Sequence, residues 1–179
     1  MNEHLASARN GDPAALERLV HEIWPRCYRL AASVIGERAL AQDAAQESCA
    51  IVCVKLRTLR DSAAFDTWLY RIVMREAARV RRRLPPSTPL YDDRSFTLDE
   101  TTSIDVWRAL ARLPAEQRDA VVLFYFHDMR TEDIAAIVNA PHATVRTRLM
   151  RARERLRASL GNYAVDLHTQ QGVLKHHVI

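Results

Sequence analysis

Several things are scarce in this chain of 179 residues. It has four glycines and three cysteines, and no apolar run approaches the roughly 18 residues that cross a bilayer. With 48% apolar residues, so few glycines exclude a generally disordered chain and favour packed helices. The missing apolar run excludes membrane insertion. The first residues, MNEHLASARNGD, lack the basic-then-apolar order of a secretory signal, so a cytoplasmic chain is expected. Cys27, Cys49 and Cys53 are an odd set for a disulfide framework. Cys49 and Cys53 share a helix face, but no His or Cys pair completes a ligand spacing, so all three are read as small core hydrophobes. Strand-like alternation, internal repeats, a phosphate loop, a metal-ligand cluster and a nucleophile with a plausible base are all missing. No enzyme activity, cofactor or metal is therefore expected.

What is present is charge, and it is segregated. Residues 1–84 carry a net +4, residues 85–103 a net −3 and residues 104–161 a net +3. Within the last block, residues 142–157 hold six arginines and one glutamate. The segment LPPSTPLYDDRSFTLDETTS has three prolines and no helical period, which marks a flexible linker. The tail 162–179, with His168, His176 and His177, is read as a free chain end. The fold class expected is all-α: a four-helix N-terminal domain over 1–84, the linker over 85–103, and a C-terminal helix-turn-helix domain over 104–161.

The first block reads as helix almost throughout. Asp12 and Pro13 form an N-cap and first-turn pair ahead of Leu16, Leu19, Val20, Ile23 and Trp24 at helical spacing. Pro25 predicts a break or kink, and Gly36 the end of a second helix. A third helix is expected from Leu40 to Leu56. A fourth carries Phe65, Trp68, Leu69, Ile72, Val73 and Val80 as one apolar stripe, with Tyr70, Arg71, Met74 and Arg75 on other faces. Glu76 falls inside that stripe, where Arg79 is a candidate partner. Arg79, Arg81, Arg82 and Arg83 close the helix. That is more cationic charge than a helix dipole needs.

In the second block Thr131 is placed as the cap of a short helix, TEDIAAIV, with Ile134, Ala135 and Val138 facing inward. Asn139-Ala140-Pro141 breaks it, and the arginine-rich ATVRTRLMRARERLR follows. Two helices across so tight a turn are the pattern of a helix-turn-helix. At 100° per residue, Leu149, Ala152 and Leu156 fall within about 40° of Val145, a narrow apolar seam. Opposite it lie Arg146, Met150, Thr147, Arg151 and Thr144. A merely soluble helix alternates Glu with Lys or Arg to gain i,i+4 pairs. Here Glu154 serves at best one arginine, which suits a surface neutralised by phosphates.

Three stretches then resemble a known family. FDTWLYRI (Phe65 to Ile72), followed by a basic helix end, resembles the promoter-melting region of extracytoplasmic-function sigma factors of the sigma-70 family. QDAAQESC (Gln42 to Cys49) resembles their core-polymerase-binding helix, and Leu113 to Arg157 their C-terminal helix-turn-helix. The likeness covers most of residues 12–160 in the family's order. It implies that Asp43, Gln46 and Glu47 dock on core RNA polymerase. It implies that Arg60, Ser62, Phe65, Tyr70, Arg71, Met74 and Arg75 read and hold the opened −10 element. Arg146, Thr147, Met150 and Arg151 would meet the −35 bases, while Thr144, Arg148 and Arg153 hold phosphates. The partners implied are core polymerase, promoter DNA and an anti-sigma factor, which could tether the chain to a membrane indirectly. The chain departs from the family pattern at Arg75, where asparagine is frequent, at Val138-Asn139 for Leu-Gly, and at His142-Ala143. A stand-alone helix-turn-helix regulator is the alternative, and a helical scaffold for an acidic partner is a third reading. The first leaves QDAAQESC and the basic end of the fourth helix without a purpose, and the second explains the charge but not the groove-facing arc of the last helix.

Overall fold

The computed structural model describes residues 2–84 and 104–160. The expected linker (85–103) and tail (162–179, with its three histidines) lie outside the described residues. The chain divides into two compact units, an N-terminal and a C-terminal one. Every regular element among the described residues is helical.

The N-terminal unit contains α1 (Asn2–Arg9), α2 (Pro13–Ile35), α3 (Arg38–Lys55) and α4 (Phe65–Arg83). Asp12 caps α2 as its spacing predicts, its side chain accepting from the Ala14 N–H at 3.0 Å. At the other end Gly36 takes φ 74° and returns its N–H to the Ala32 carbonyl at 2.9 Å. Only glycine adopts that backbone without strain.

Between these caps α2 is continuous, which corrects the break expected at Pro25. Pro25 and His21 both face solvent, so the carbonyl that proline leaves unbonded is open to water. Ala15, Leu19, Ile23, Cys27 and Leu30 form the buried stripe, and from Leu30 to Ile35 every side chain is buried. α3 and α4 both pack against α2.

Glu37 caps α3, its carboxylate accepting from the Ala39 and Leu40 N–H groups at 2.8 and 2.9 Å. Ala41, Ala44, Ala45, Ser48, Cys49 and Val52 face inward. These small residues let α3 approach α2 closely. Ser48 satisfies its buried hydroxyl on the Ala44 carbonyl at 2.7 Å. Cys27 and Cys49 are buried as expected, but Cys53 is exposed, because it falls about 100° from the buried Val52 around the axis of α3 and so lies outside the packed arc. The hydrogen bond with Cys49, together with burial, pushes the Cys27 thiol up.

The C-terminal unit contains α5 (Ile104–Ala111), α6 (Ala115–Val121) running into a π-helical turn (Val122–Phe126), α7 (Thr131–Val138) and α8 (His142–Leu160). Trp107 is buried against Phe126, ring centroids 4.7 Å apart. Arg118 is 5% exposed and donates to the Ala111 carbonyl at 3.3 Å, tying α6 to the end of α5. The side chains buried on α7 are Ile134 and Ile137, where Ile134, Ala135 and Val138 were expected. Ala135 and Val138 are half-buried, so the inward face is rotated toward Ile137.

Candidate nucleic-acid interface

The turn between α7 and α8 is set by local chemistry. Asn139 sits at φ 51°, ψ 52°, a left-handed geometry that asparagine tolerates better than most residues. Ala140 N–H reaches back to the Ala135 carbonyl at 3.0 Å, and the Pro141 carbonyl accepts from Thr144 and Val145. Thr131 opens α7 from its first helical position; the cap position is Arg130, whose side chain makes no capping bond. The Thr131 hydroxyl instead meets His142 Nε2 at 2.7 Å, and Glu132 lies 3.3 Å from the same nitrogen. The first turns of α7 and α8 are thereby clasped together.

On α8 the seam is buried as its spacing predicts: Val145, Leu149, Ala152 and Leu156 are at most 3% exposed. Arg146, Met150 and Arg151 are exposed, with Met150 at 51%, and Thr147 is half-buried with its hydroxyl on the Ala143 carbonyl at 3.0 Å. The face away from the seam thus combines two arginines, unpaired among the described residues, with a methionine and a threonine methyl. Arg155 and Arg157 are also exposed, while Thr144 and Arg153 are half-buried.

Arg148 differs from its neighbours. Its guanidinium donates to Glu116 Oε2 of α6 at 2.7 Å, and its side chain is only 20% exposed. Spacing within one helix could not reveal this partner, because it lies 32 positions away in sequence. The pair borders a cleft of about 380 Å³ between α6 and α8, also lined by Gln117, Thr144, Thr147 and Arg151. Gln117 is 9% exposed, and its Oε1 has no hydrogen-bond partner among the described residues. Sequence reading missed both Glu116 and Gln117; the signal available was two polar residues in the first turn of α6, just ahead of the apolar VVLFYF run.

In the N-terminal unit the candidate −10 residues divide. Arg60, Ser62 and Arg75 are exposed. Tyr70 and Arg71 are half-buried. Tyr70 lies beneath Arg26, whose guanidinium carbon is 5.3 Å from the ring centroid and which also pairs with Asp66 at 2.8 Å. Phe65 and Met74 are 2% and 7% exposed, so both belong to the core and not to the strand-holding set expected from the family resemblance. Phe65 opens α4 with its ring tilted against Trp68, centroids 6.0 Å apart. Met74 follows Val73 inward because α4 packs against both α2 and α3, which widens its buried arc. Glu76 pairs with Arg79 at 2.6 Å, which accounts for a carboxylate inside the apolar stripe.

On α3, Asp43, Gln46 and Glu47 share one exposed face opposite the small buried residues. Val54, seven positions after Glu47, continues that face at 79% exposure. Sequence reading passed over Val54; its i+7 spacing from Glu47 was the available signal.

Comparison with known proteins bears on both units. The sigma-70 region 2 model matches residues 19–84 and the sigma-70 region 4 model matches residues 103–156. The chain is 35% identical over 166 residues to the ECF RNA polymerase sigma factor SigM of Mycobacterium tuberculosis, covering 89% of this chain and 84% of that one. It is 30% identical over 172 residues to the RNA polymerase sigma-H factor of Pseudomonas aeruginosa, covering 85% and 89%. Among solved structures it resembles CnrH in complex with the cytosolic domain of CnrY, with a TM-score of 0.70 at 21% identity, covering 88% and 94%. It also resembles the sigma factor RpoE in complex with the anti-sigma factor NepR from Bartonella quintana, with a TM-score of 0.65 at 24% identity, covering 80% and 95%. At these identities the structural likeness speaks for the fold.

Proposed function

This chain belongs to the extracytoplasmic-function sigma factors of the sigma-70 family, and from that premise we propose how its surfaces divide the work of promoter-specific initiation. As an alternative sigma factor it binds core RNA polymerase and directs it to promoters. The observation that carries the assignment of surfaces is the exposure split on α8. One thin seam is buried in its own unit, and the opposite face presents Arg146, Met150, Thr147 and Arg151.

A helix so divided enters the major groove with its seam outward. Arginine reads guanine O6 and N7 through two parallel donors, and Met150 and the Thr147 methyl suit the thymine methyl. Thr144 and Arg153, beside the arc, hold phosphates that fix the helix in register. Upstream in the chain, Arg60, Ser62, Tyr70, Arg71 and Arg75 supply donors and one aromatic face for the opened −10 strand. Asp43, Gln46 and Glu47 dock on core polymerase, and Val54 adds an apolar contact to the same face. The working compartment is the cytoplasm, in keeping with α-helices among the described residues that are too short or too polar to cross a membrane. The solved relatives were captured with CnrY and NepR, and a comparable inhibitor would hold this chain until a signal releases it.

The test is transcription by purified core polymerase from a genomic promoter library, with and without the chain. Promoter-specific initiation that depends on the chain is expected. DNA binding with neither core binding nor initiation would move the assignment to a stand-alone regulator.

Glu116 supplies a finer prediction. In the free chain it neutralises Arg148, so Arg148 holds a phosphate only after leaving that partner. In Glu116→Gln the guanidinium no longer has to leave a carboxylate, so holoenzyme should bind promoter DNA more tightly, most clearly at low salt. Titration of holoenzyme onto promoter DNA across a salt series measures this. Unchanged affinity throughout the series would mean that Arg148 meets no phosphate in either protein.

A further inference from the structure

The segment between α3 and α4 carries Arg60 and Ser62 and has little structure of its own. It consists of two short 3-10 turns, Leu56–Thr58 and Ser62–Ala64, with Leu59 to Asp61 between them. Asp61 ties down one end by accepting the Ala63 N–H at 2.9 Å. The rest is held from outside by the last residue of α1. Arg9 Nη1 lies 3.3 Å from the Leu59 carbonyl, 3.4 Å from the Arg60 carbonyl and 3.5 Å from Ser62 Oγ. A single guanidinium, some 50 positions away in sequence, thus gathers three acceptors of the loop.

The chemistry of this contact is one-sided. A guanidinium donates and has no acceptor capacity. Ser62 Oγ therefore turns a lone pair toward Arg9, and its own O–H must point elsewhere. The Arg60 carbonyl is likewise occupied as an acceptor, leaving the exposed Arg60 guanidinium as that residue's outward polar group.

We infer that Arg9 is a positioning residue for −10 reading. It fixes the loop Leu59–Ser62 and polarises it, so that Arg60 and Ser62 offer donors to an unstacked base with an acceptor on its edge. The inference rests on the placement of Arg60 and Ser62 in the −10 site proposed above. A purely structural staple would hold the loop equally well but leave base preference untouched, and that difference is measurable.

The experiment uses full-length chain with core polymerase on a promoter library randomised across the −10 element. Arg9→Met, Arg9→Lys, Ser62→Ala, Arg60→Ala and the Arg9→Met/Ser62→Ala pair are compared for initiation, core affinity and thermal midpoint. Ser62→Ala and Arg9→Met should each reduce discrimination at the same −10 position. The expected loss is roughly fivefold, the ratio that about 1 kcal/mol gives at 1.4 kcal/mol per tenfold. The double variant should lose little more than either single one, because both remove the same oriented donor. Arg9→Lys should restore part of the preference, and the −35 preference and core affinity should stay as in the parent. If Arg9→Met lowers initiation evenly over all −10 sequences while Ser62→Ala shifts preference, Arg9 is a staple only and the inference is overturned. If neither Ser62→Ala nor Arg60→Ala shifts −10 preference, the loop is not part of the −10 site and both readings fall.

Discussion

Phe65→Ala is expected to destabilise the N-terminal unit by about 3–5 kcal/mol, the usual cost of removing a buried aromatic ring. Phe65 is 2% exposed at the first turn of α4, and its ring lies against Trp68. Deleting it leaves a cavity between α4 and its neighbours that the short 3-10 turns before it cannot fill. Urea unfolding of the full chain should show the N-terminal transition moved to lower denaturant, with the C-terminal transition unmoved. Phe65→Leu, which keeps most of the volume, should cost less than half as much. Loss of promoter opening in Phe65→Ala would then follow from loss of the fold. A variant with parental stability and a specific melting defect would return Phe65 to the strand-holding set.

Arg151→Ala is expected to weaken holoenzyme binding at −35 elements by ~1–3 kcal/mol and to relax preference at one base pair, the cost of one lost bidentate contact. Arg146→Ala should act alike at a different position. Both side chains are exposed, and neither lies on the buried seam. Arg157→Ala, exposed on the last turn and two turns from Met150, should instead weaken binding evenly across sequences and flatten the salt slope. Lysine at 151 should rescue only part of the loss, because a single ammonium cannot reproduce two parallel donors. Competitive binding to a library randomised across the −35 element separates these outcomes. An unchanged −35 preference in Arg151→Ala would show that the base-facing arc is misassigned.

The Arg148 comparison completes the set. Because Glu116 already holds that guanidinium, Arg148→Ala removes an internal ion pair as well as the phosphate contact proposed for it, and its effects on stability and binding should differ from those of Arg151→Ala. A pair with one partner 72% exposed contributes little to stability. Most of the loss should therefore appear in binding.

Much of the fold was legible because its determinants are local. Asp12-Pro13, Gly36 and Asn139 act within one turn of their own positions, so caps and stops follow from neighbouring residues. The seam of α8 was legible too. Its partners α5, α6 and α7 are helices of seven or eight residues that reach only a strip of its surface. Periodicity alone therefore marks the full width of what is buried. The charge on the opposite face needed no packing partner to be visible, and QDAAQESC and FDTWLYRI gave the N-terminal unit its place in the family.

The tertiary structure decided what periodicity leaves open, which is how wide a buried arc becomes and which distant groups meet. Long α2 and α3 both pack on α4, so its arc broadens to take in Met74, and Phe65 closes its end. Cys53 stays in solvent because the buried arc of α3 runs through Ser48, Cys49 and Val52 and stops short of it. Arg148 meets Glu116, and Arg9 meets the loop of Arg60 and Ser62, through contacts 32 and about 50 positions apart in the chain. Spacing along one helix gives the phase of each side chain about its own axis. It carries no information on which other axis lies alongside, and that is set only when the helices pack.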